Sequence, residues 1–296
     1  MTWLDTLGGI TASALEAMTP LLLAAMGGLF TELAGMLNIA LEGLMLAGAF
    51  FGFAAAAVSG SLLLGILAGA LASSLIAWIY GSATLRLKAN VFITGLAANI
   101  FAPSVTAVLS AAWFGTRSVV ALAVPEPARP LQTSLGRIPV LGGVFFSQHS
   151  LVYLSWALAA GAAVIIYRSV LGTRIRATGA RAEAVAAAGF KPDFYKLSAI
   201  IISGFFCGIA GASLSLPLGA YVPNMSSGRG WIALVAIYLG NRRPGRTALA
   251  CFVFALAESF SNYAQGQFGI PSEFILAIPF AATLIALSLG TSAKNE

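Results

Sequence analysis

SLLLGILAGALASSLIAWIYGS, residues 61–82, contains no charged side chain. The hydrocarbon core of a bilayer takes about 20 such residues per helical span. The run is continuous, without the two-residue alternation of a barrel strand, so it reads as a membrane-crossing helix. Further apolar segments lie at about 10–31, 36–59, 89–111, 150–168, 196–216, 230–240, 247–264 and 272–290. The whole chain shares this character, with 59% apolar and 9% charged residues and a mean hydropathy of +0.91, far outside the range of water-soluble domains. Its 32 glycines suit helices that approach one another through small faces. The expected fold is all-α: a single transmembrane domain over 1–296, forming a polytopic helical bundle of eight to ten spans.

The charges give its orientation. Alternate spanning puts twelve of the sixteen Lys and Arg residues on one side: Arg86, Lys88, Arg168, Arg174, Arg176, Arg181, Lys191, Lys196, Arg242, Arg243, Arg246 and Lys294. The positive-inside rule makes that side the cytoplasm and leaves Arg117, Arg129, Arg137 and Arg229 outside. Nine crossings start outside and end inside, and the break between the first two segments is the place for a re-entrant piece. The formal charge of +6 thus marks topology and not nucleic-acid binding. Residues 1–30 do not read as a cleavable signal peptide, because no positive charge precedes the apolar run. Cys207 and Cys251 fall within apolar runs and read as small packing residues.

The long outer connection, 115–150, carries Pro125, Pro127, Pro130 and Pro139 and reads as non-helical. It either caps an opening or simply connects spans. Its His149, the only histidine, has no neighbouring ligand set for a metal. The short run from Trp231 to Gly240 follows a strip broken by Pro217, Gly219, Pro223, Gly228 and Gly230. It reads either as part of a broken or re-entrant helix pair walling a pathway, or as an interfacial loop with Trp231 in the aromatic belt.

Polar side chains inside apolar segments must face the bundle or a cavity. Asn38 and Glu42, four apart, are expected on one helix face; Glu258 and Asn262 repeat that spacing, and Thr94 and Asn99 punctuate the fourth segment. Each either lines a solute path or bonds between helices. Phe92, Phe101, Trp231 and Phe254 offer aromatic faces for a ring. With no arginine expected deep in a span, the pattern favours a neutral solute. The sequence has no G-x-x-x-x-G-K-[ST] loop, no H-E-x-x-H and no G-x-S-x-G, so the chain is not expected to be an enzyme, and any ATP hydrolysis belongs to another chain.

One charged patch remains, 172–196, holding Arg174, Arg176, Arg181, Glu183, Lys191 and Asp193 with Gly172, Gly179 and Gly189 as punctuation. Its alanine-rich stretch 180–188 predicts a short helix bounded by glycines. Such a helix suits docking to a soluble subunit or lying at lipid headgroups.

In order along the chain stand NIALEGLM (38–45), ITGLAAN (93–99), PVLG (139–142), GTRIRATG (172–179) with AAG (187–189), and GRGWIAL (228–234). Together they resemble the permease subunits of bacterial ABC importers of the branched-chain amino acid, ribose and nucleoside group. The likeness is to nucleoside-type permeases that work with basic-membrane-protein-like binding lipoproteins. The resemblance implies a multi-pass protein of the bacterial inner membrane, paired with a second, longer permease. It also implies two cytoplasmic ATPases, which carry the ATP and Mg, and a periplasmic or lipid-anchored solute-binding protein. It makes about 172–190 the coupling segment, with Gly172, Arg176, Gly179, Arg181, Glu183, Ala184 and Gly189 at the ATPase contact. The imported solute is then nucleoside-like or nucleobase-like. A sugar or another small metabolite on the same scaffold is the alternative, and an ion-coupled carrier using Glu42 or Glu258 is a third reading.

Overall fold

The computed structural model describes residues 3–131 and 142–268. Its helices in chain order are α1 (Trp3–Leu33), α2 (Leu41–Ser59), α3 (Leu62–Leu85), α4 (Val91–Phe114), α5 (Ser150–Arg168), α6 (Val170–Ala180), α7 (Ala182–Ala187), α8 (Pro192–Leu218), α9 (Arg229–Leu239) and α10 (Pro244–Phe268). A π-helical turn, Gly142–Phe146, precedes α5. Two short strands, β1 (Val120–Ala121) and β2 (Ala220–Tyr221), pair antiparallel with Val120 opposite Tyr221, a small β element that the all-α expectation did not contain.

Side chains and glycines mark the helix ends. Ser61 Oγ accepts from the Leu64 amide ahead of α3, Asn90 Oδ1 accepts from the Phe92 and Ile93 amides ahead of α4, and Ser169 Oγ accepts from Gly172 ahead of α6. At the other ends, Gly60 and Gly115 stop α2 and α4 at φ of 63° and 72°, conformations that only glycine adopts freely.

Six helices, α1 to α5 and α8, are long and apolar enough to cross a membrane. The chain is a largely helical, multi-pass membrane protein. These six do not establish eight to ten spans: α9 has 11 residues, and α10, at 25 residues, is not among the six. The expected segment 272–290 lies outside the described residues.

α1, α2 and α8 form the centre, with 89% of the apolar stretch of α1 buried, while α4 lies at the periphery with 17% buried. The broadest contacts join α3, α2 and α8 to one another. At their closest points they are made backbone to backbone. A Cβ on Gly48 would come 2.5 Å from Gly208 Cα, one on Gly69 would lie 2.7 Å from the Gly48 carbonyl oxygen, and one on Gly211 would run into the Met45 carbonyl. Association in lipid has little hydrophobic drive, so close packing through small residues supplies the attraction. Cys207 and Cys251 are free thiols, fully buried among these helices.

The described ends of the 115–150 connection dock on the bundle. β1 holds one end against Tyr221, whose ring meets Phe50 edge-on at 5.1 Å. At the other end the Ser150 amide donates to the Ala128 carbonyl, and Gln148 Nε2 donates to the Ala12 carbonyl of α1. His149 is buried at this junction; its desolvation lowers the imidazole pKa below the ordinary value, opposed by Glu16 and assisted by Arg129.

Gly211→Val should destabilise the fold by about 2 kcal/mol or more through backbone overlap. Gly161 of α5 faces open space, so Gly161→Ala should leave stability equal or slightly raised. Thermal unfolding of the two variants in detergent checks the contrast.

Candidate functional site

The chain between α1 and α2, residues 34–40, is not helical. Gly35 turns it at a φ of 74°, and its backbone groups are then satisfied by side chains from surrounding helices. Tyr80 of α3 donates its hydroxyl to the Leu37 carbonyl at 3.1 Å. Asn99 of α4 donates Nδ2 to the Ile39 carbonyl and accepts from the Gly43 amide, both at 2.8 Å. Asn38 folds back to accept from the Ala40 amide at 3.0 Å and donates to Ser203 of α8 at 2.9 Å. Asn38 and Glu42 therefore do not share a helix face: α2 starts only at Leu41, because Asn38 organises the turn before it.

Glu42, in the first turn of α2, reaches a second interruption. Its Oε1 accepts from the Gly228 amide at 2.8 Å and its Oε2 from the Gly230 amide at 2.7 Å, at the N-terminus of α9. A half-helix beginning among other helices has free amides and a positive dipole end, and a carboxylate satisfies both. Gly230 makes the approach possible, since a Cβ there would lie 2.5 Å from the Glu42 amide nitrogen. Next to it, Arg229 Nη2 pairs with Glu258 Oε1 of α10 at 2.5 Å. Trp231 follows, 40% exposed.

At the opposite end of α9, Tyr238 donates its hydroxyl to Glu32 Oε1 at 2.7 Å, and Arg242 Nε lies 3.4 Å from Glu32 Oε2. Glu32 is buried near the end of α1. The turn from α9 to α10 holds Asn241 and Arg242 at positive φ.

The basic segment departs from the expected single helix over 180–188. α6 runs through Ala180, Arg181 breaks it with extended backbone, and α7 spans Ala182–Ala187 before Gly189 ends it at a φ of 84°. Gly172 and Gly179 lie inside α6 and punctuate nothing; they are places of close approach, to the Ile165 and Ile166 backbone and to the Leu33 carbonyl respectively. Arg174 is fixed, stacking on Phe190 at 4.1 Å and donating to Tyr195 of α8 at 3.0 Å. Arg176 lies 5.6 Å over the Tyr167 ring. Arg181, Glu183 and Ala184 are exposed, and α6 and α7 enclose a groove of about 490 Å³ floored by Ala177, Ala180, Ala184 and Ala188.

The structure thus gathers Asn38, Glu42 and Asn99 around the two interruptions, with Trp231 and Glu258 at the head of α9. It leaves three others apart. Phe92 is 58% exposed on α4, Thr94 bonds back to the Asn90 carbonyl, and Asn262 is exposed on α10 although Glu258, four residues earlier, is engaged. Phe101 is exposed on α4 and Phe254 is buried in the core. Sequence reasoning took Arg229 for a topology mark and missed Ser203, Tyr80 and Tyr238. The signal for Arg229 was its place between two glycines at the head of an apolar run.

Residues 10–287 match the model of the family described as "Branched-chain amino acid transport system / permease component". The chain belongs to this family. It is a permease subunit of an ABC importer, a transport component that catalyses no reaction itself. Importers of this family pair the permease with a second one, with ATPases and with a solute-binding protein. Among curated relatives, the nucleoside ABC transporter permease protein NupC of Lactococcus lactis is 30% identical over 98% of this chain and 94% of its own. The guanosine ABC transporter permease protein NupQ of Bacillus subtilis is 32% identical over 94% of this chain and 91% of its own. A putative glucose ABC transporter permease protein, TsgC13 of Haloferax volcanii, is 32% identical over 87% and 78%. No solved structure matches the chain.

Glu42→Gln should weaken the head of α9 by about 2 kcal/mol, because an amide has one acceptor oxygen for two donors and presents its own N–H to the other. A lowered melting temperature of the permease, beside an unchanged one for Asn262→Ala, is the expected result.

Proposed function

We propose that this permease subunit moves a nucleoside-like or nucleobase-like solute into the cytoplasm, driven by ATP hydrolysed on a partner ATPase. The observation that carries the substrate class is similarity along nearly the whole chain to two nucleoside-type permeases. The polar groups at the interruptions agree with it. Asn38 and Asn99 hold the irregular backbone with neutral amides, Trp231 offers a partly exposed aromatic face, and Glu42 and Glu258 are already engaged by α9. A neutral ring compound bearing hydroxyls and ring nitrogens suits such surroundings better than an ion. The engagement of these two carboxylates also argues against the ion-coupled carrier. The solute path passes the 34–40 break and the head of α9, with Asn38, Glu42, Asn99, Trp231 and Glu258 beside it; Phe92, Thr94 and Asn262 border it in the assembled permease pair. The likeness to a putative glucose permease keeps a sugar as the second reading.

In this reading the protein lies in the bacterial cytoplasmic membrane with the 172–190 segment in the cytoplasm. Gly172, Arg176, Gly179 and Gly189 shape that segment, and Arg181, Glu183 and Ala184 meet the ATPase. A second permease chain completes the pathway, and a periplasmic or lipid-anchored protein delivers the solute.

Mass spectrometry of the solute released from the copurified binding protein should give a nucleoside or nucleobase, and a sugar would replace this reading by the second. Ala184→Glu sets a charge into the alanine groove and should cut ATP-driven uptake about tenfold, a loss of coupling energy of about 1.4 kcal/mol. Uptake by the reconstituted complex measures it, and wild-type rates would remove Ala184 from the contact.

A further inference from the structure

Two carboxylates on either side of one break grip the two ends of α9. Glu32, before Gly35, takes Tyr238 and Arg242 at the C-terminal end; Glu42, after it, takes the amides of Gly228 and Gly230 at the N-terminal end. Side-chain packing follows the same line: a Cβ on Gly28 of α1 would meet Ile237 of α9 at 2.8 Å and Leu41 at 3.0 Å. α9 has its largest interface with α1, and α1 is also a neighbour of α6.

The break itself bears on α6. A Cβ on Gly179 would overlap the Leu33 carbonyl oxygen and fall 2.8 Å from the Gly35 amide nitrogen, and one on Gly35 would come 3.2 Å from Gly179 Cα. Both glycines are exposed on their far sides, so the contact sits at the surface of the basic end. Here two backbones touch with no side chain between them. A shift of α6 cannot be absorbed by a change of rotamer and must displace the end of α1. The other end of the contact is equally firm, since Arg174 ties α6 to Tyr195 and Phe190, and Gly172 sits against the α5 backbone.

We propose that Gly179 is the bearing through which the ATPase-facing segment acts on the solute path. The 34–40 break is the hinge, α9 is the moving strut, and Glu32 and Glu42 are positioning residues that tie the strut to both sides of the hinge. This rests on the reading of 172–190 as the ATPase contact. It adds a route by which that contact reaches the head of α9, where Trp231 and the Arg229–Glu258 pair lie. Two discrete arrangements of one packed element, biased from one end, are what such a route requires.

The test uses the assembled importer in vesicles, with a nitroxide label on Ser227→Cys, exposed just before the head of α9; Cys207 and Cys251 are buried and stay unlabelled. In the otherwise wild-type complex, ATP should change the label's line shape. Gly179→Ala should lose the line-shape change and lower solute imported per ATP about tenfold, within the range of ordinary coupling energies. Glu32→Gln adds no volume and still accepts from Tyr238, and it should diminish the line-shape change without releasing the ATPase. Gly161→Ala should behave as wild type. Wild-type line-shape response and stoichiometry in Gly179→Ala overturn the proposal. If that variant does not assemble, Glu32→Gln decides: a wild-type response overturns the proposal and a diminished one supports it. ATP-driven uptake untouched by both substitutions overturns this route alone, whereas a wild-type complex without ATP-driven uptake overturns the ATPase reading with it.

Discussion

A peptide group left without a partner in hydrocarbon costs several kcal/mol, and the described residues of this protein interrupt their helices twice inside the bundle. The bond between the Glu42 carboxylate and the amides of Gly228 and Gly230 joins the two interruptions. It satisfies a half-helix that begins among other helices, and it does so from the first turn of the helix that resumes after the other break. Without it, α9 would present uncompensated amides, and Glu42 would be a half-buried carboxylate with no donor. Asn38, Asn99 and Tyr80 complete the arrangement by taking up the peptide groups of 34–40. Each comes from a different part of the chain, so the irregular backbone is fixed by the packing of the whole bundle.

This division of labour gives the polar residues at the two interruptions a task that does not depend on a solute. A permease must offer a polar solute something other than lipid, yet every buried polar group must also be stable while no solute is present. Groups that hold backbone meet the second demand, since their polar atoms are paired whether or not a solute is present. Family membership says that the chain is a transport component, and the geometry says which of its residues are framework.

The fold was largely legible because hydrophobic length is a strong signal. The run 61–82 became α3, and the segments at 89–111, 150–168 and 196–216 became α4, α5 and α8 with edges moved by a few residues. The interruption before α2 was legible as a break but not as a structure. Asn38 and Glu42 at a spacing of four suggest one helix face only if the helix includes both, and the local turn made by Asn38 prevents that. Gly172 and Gly179 misled in the opposite way. Glycine in a charged, alanine-rich stretch reads as punctuation, yet here both are helical and small because a neighbouring backbone passes close. Pairings such as Asn38 with Ser203 or Glu32 with Tyr238 join residues far apart in the chain, and no local spacing encodes them.

Gly48, Gly69 and Gly208 bring α2, α3 and α8 together main chain to main chain. Layers of side chains let helices slide by exchanging rotamers, and a backbone contact has no such layer. At these points the three helices have no rotamer exchange by which to slide past one another.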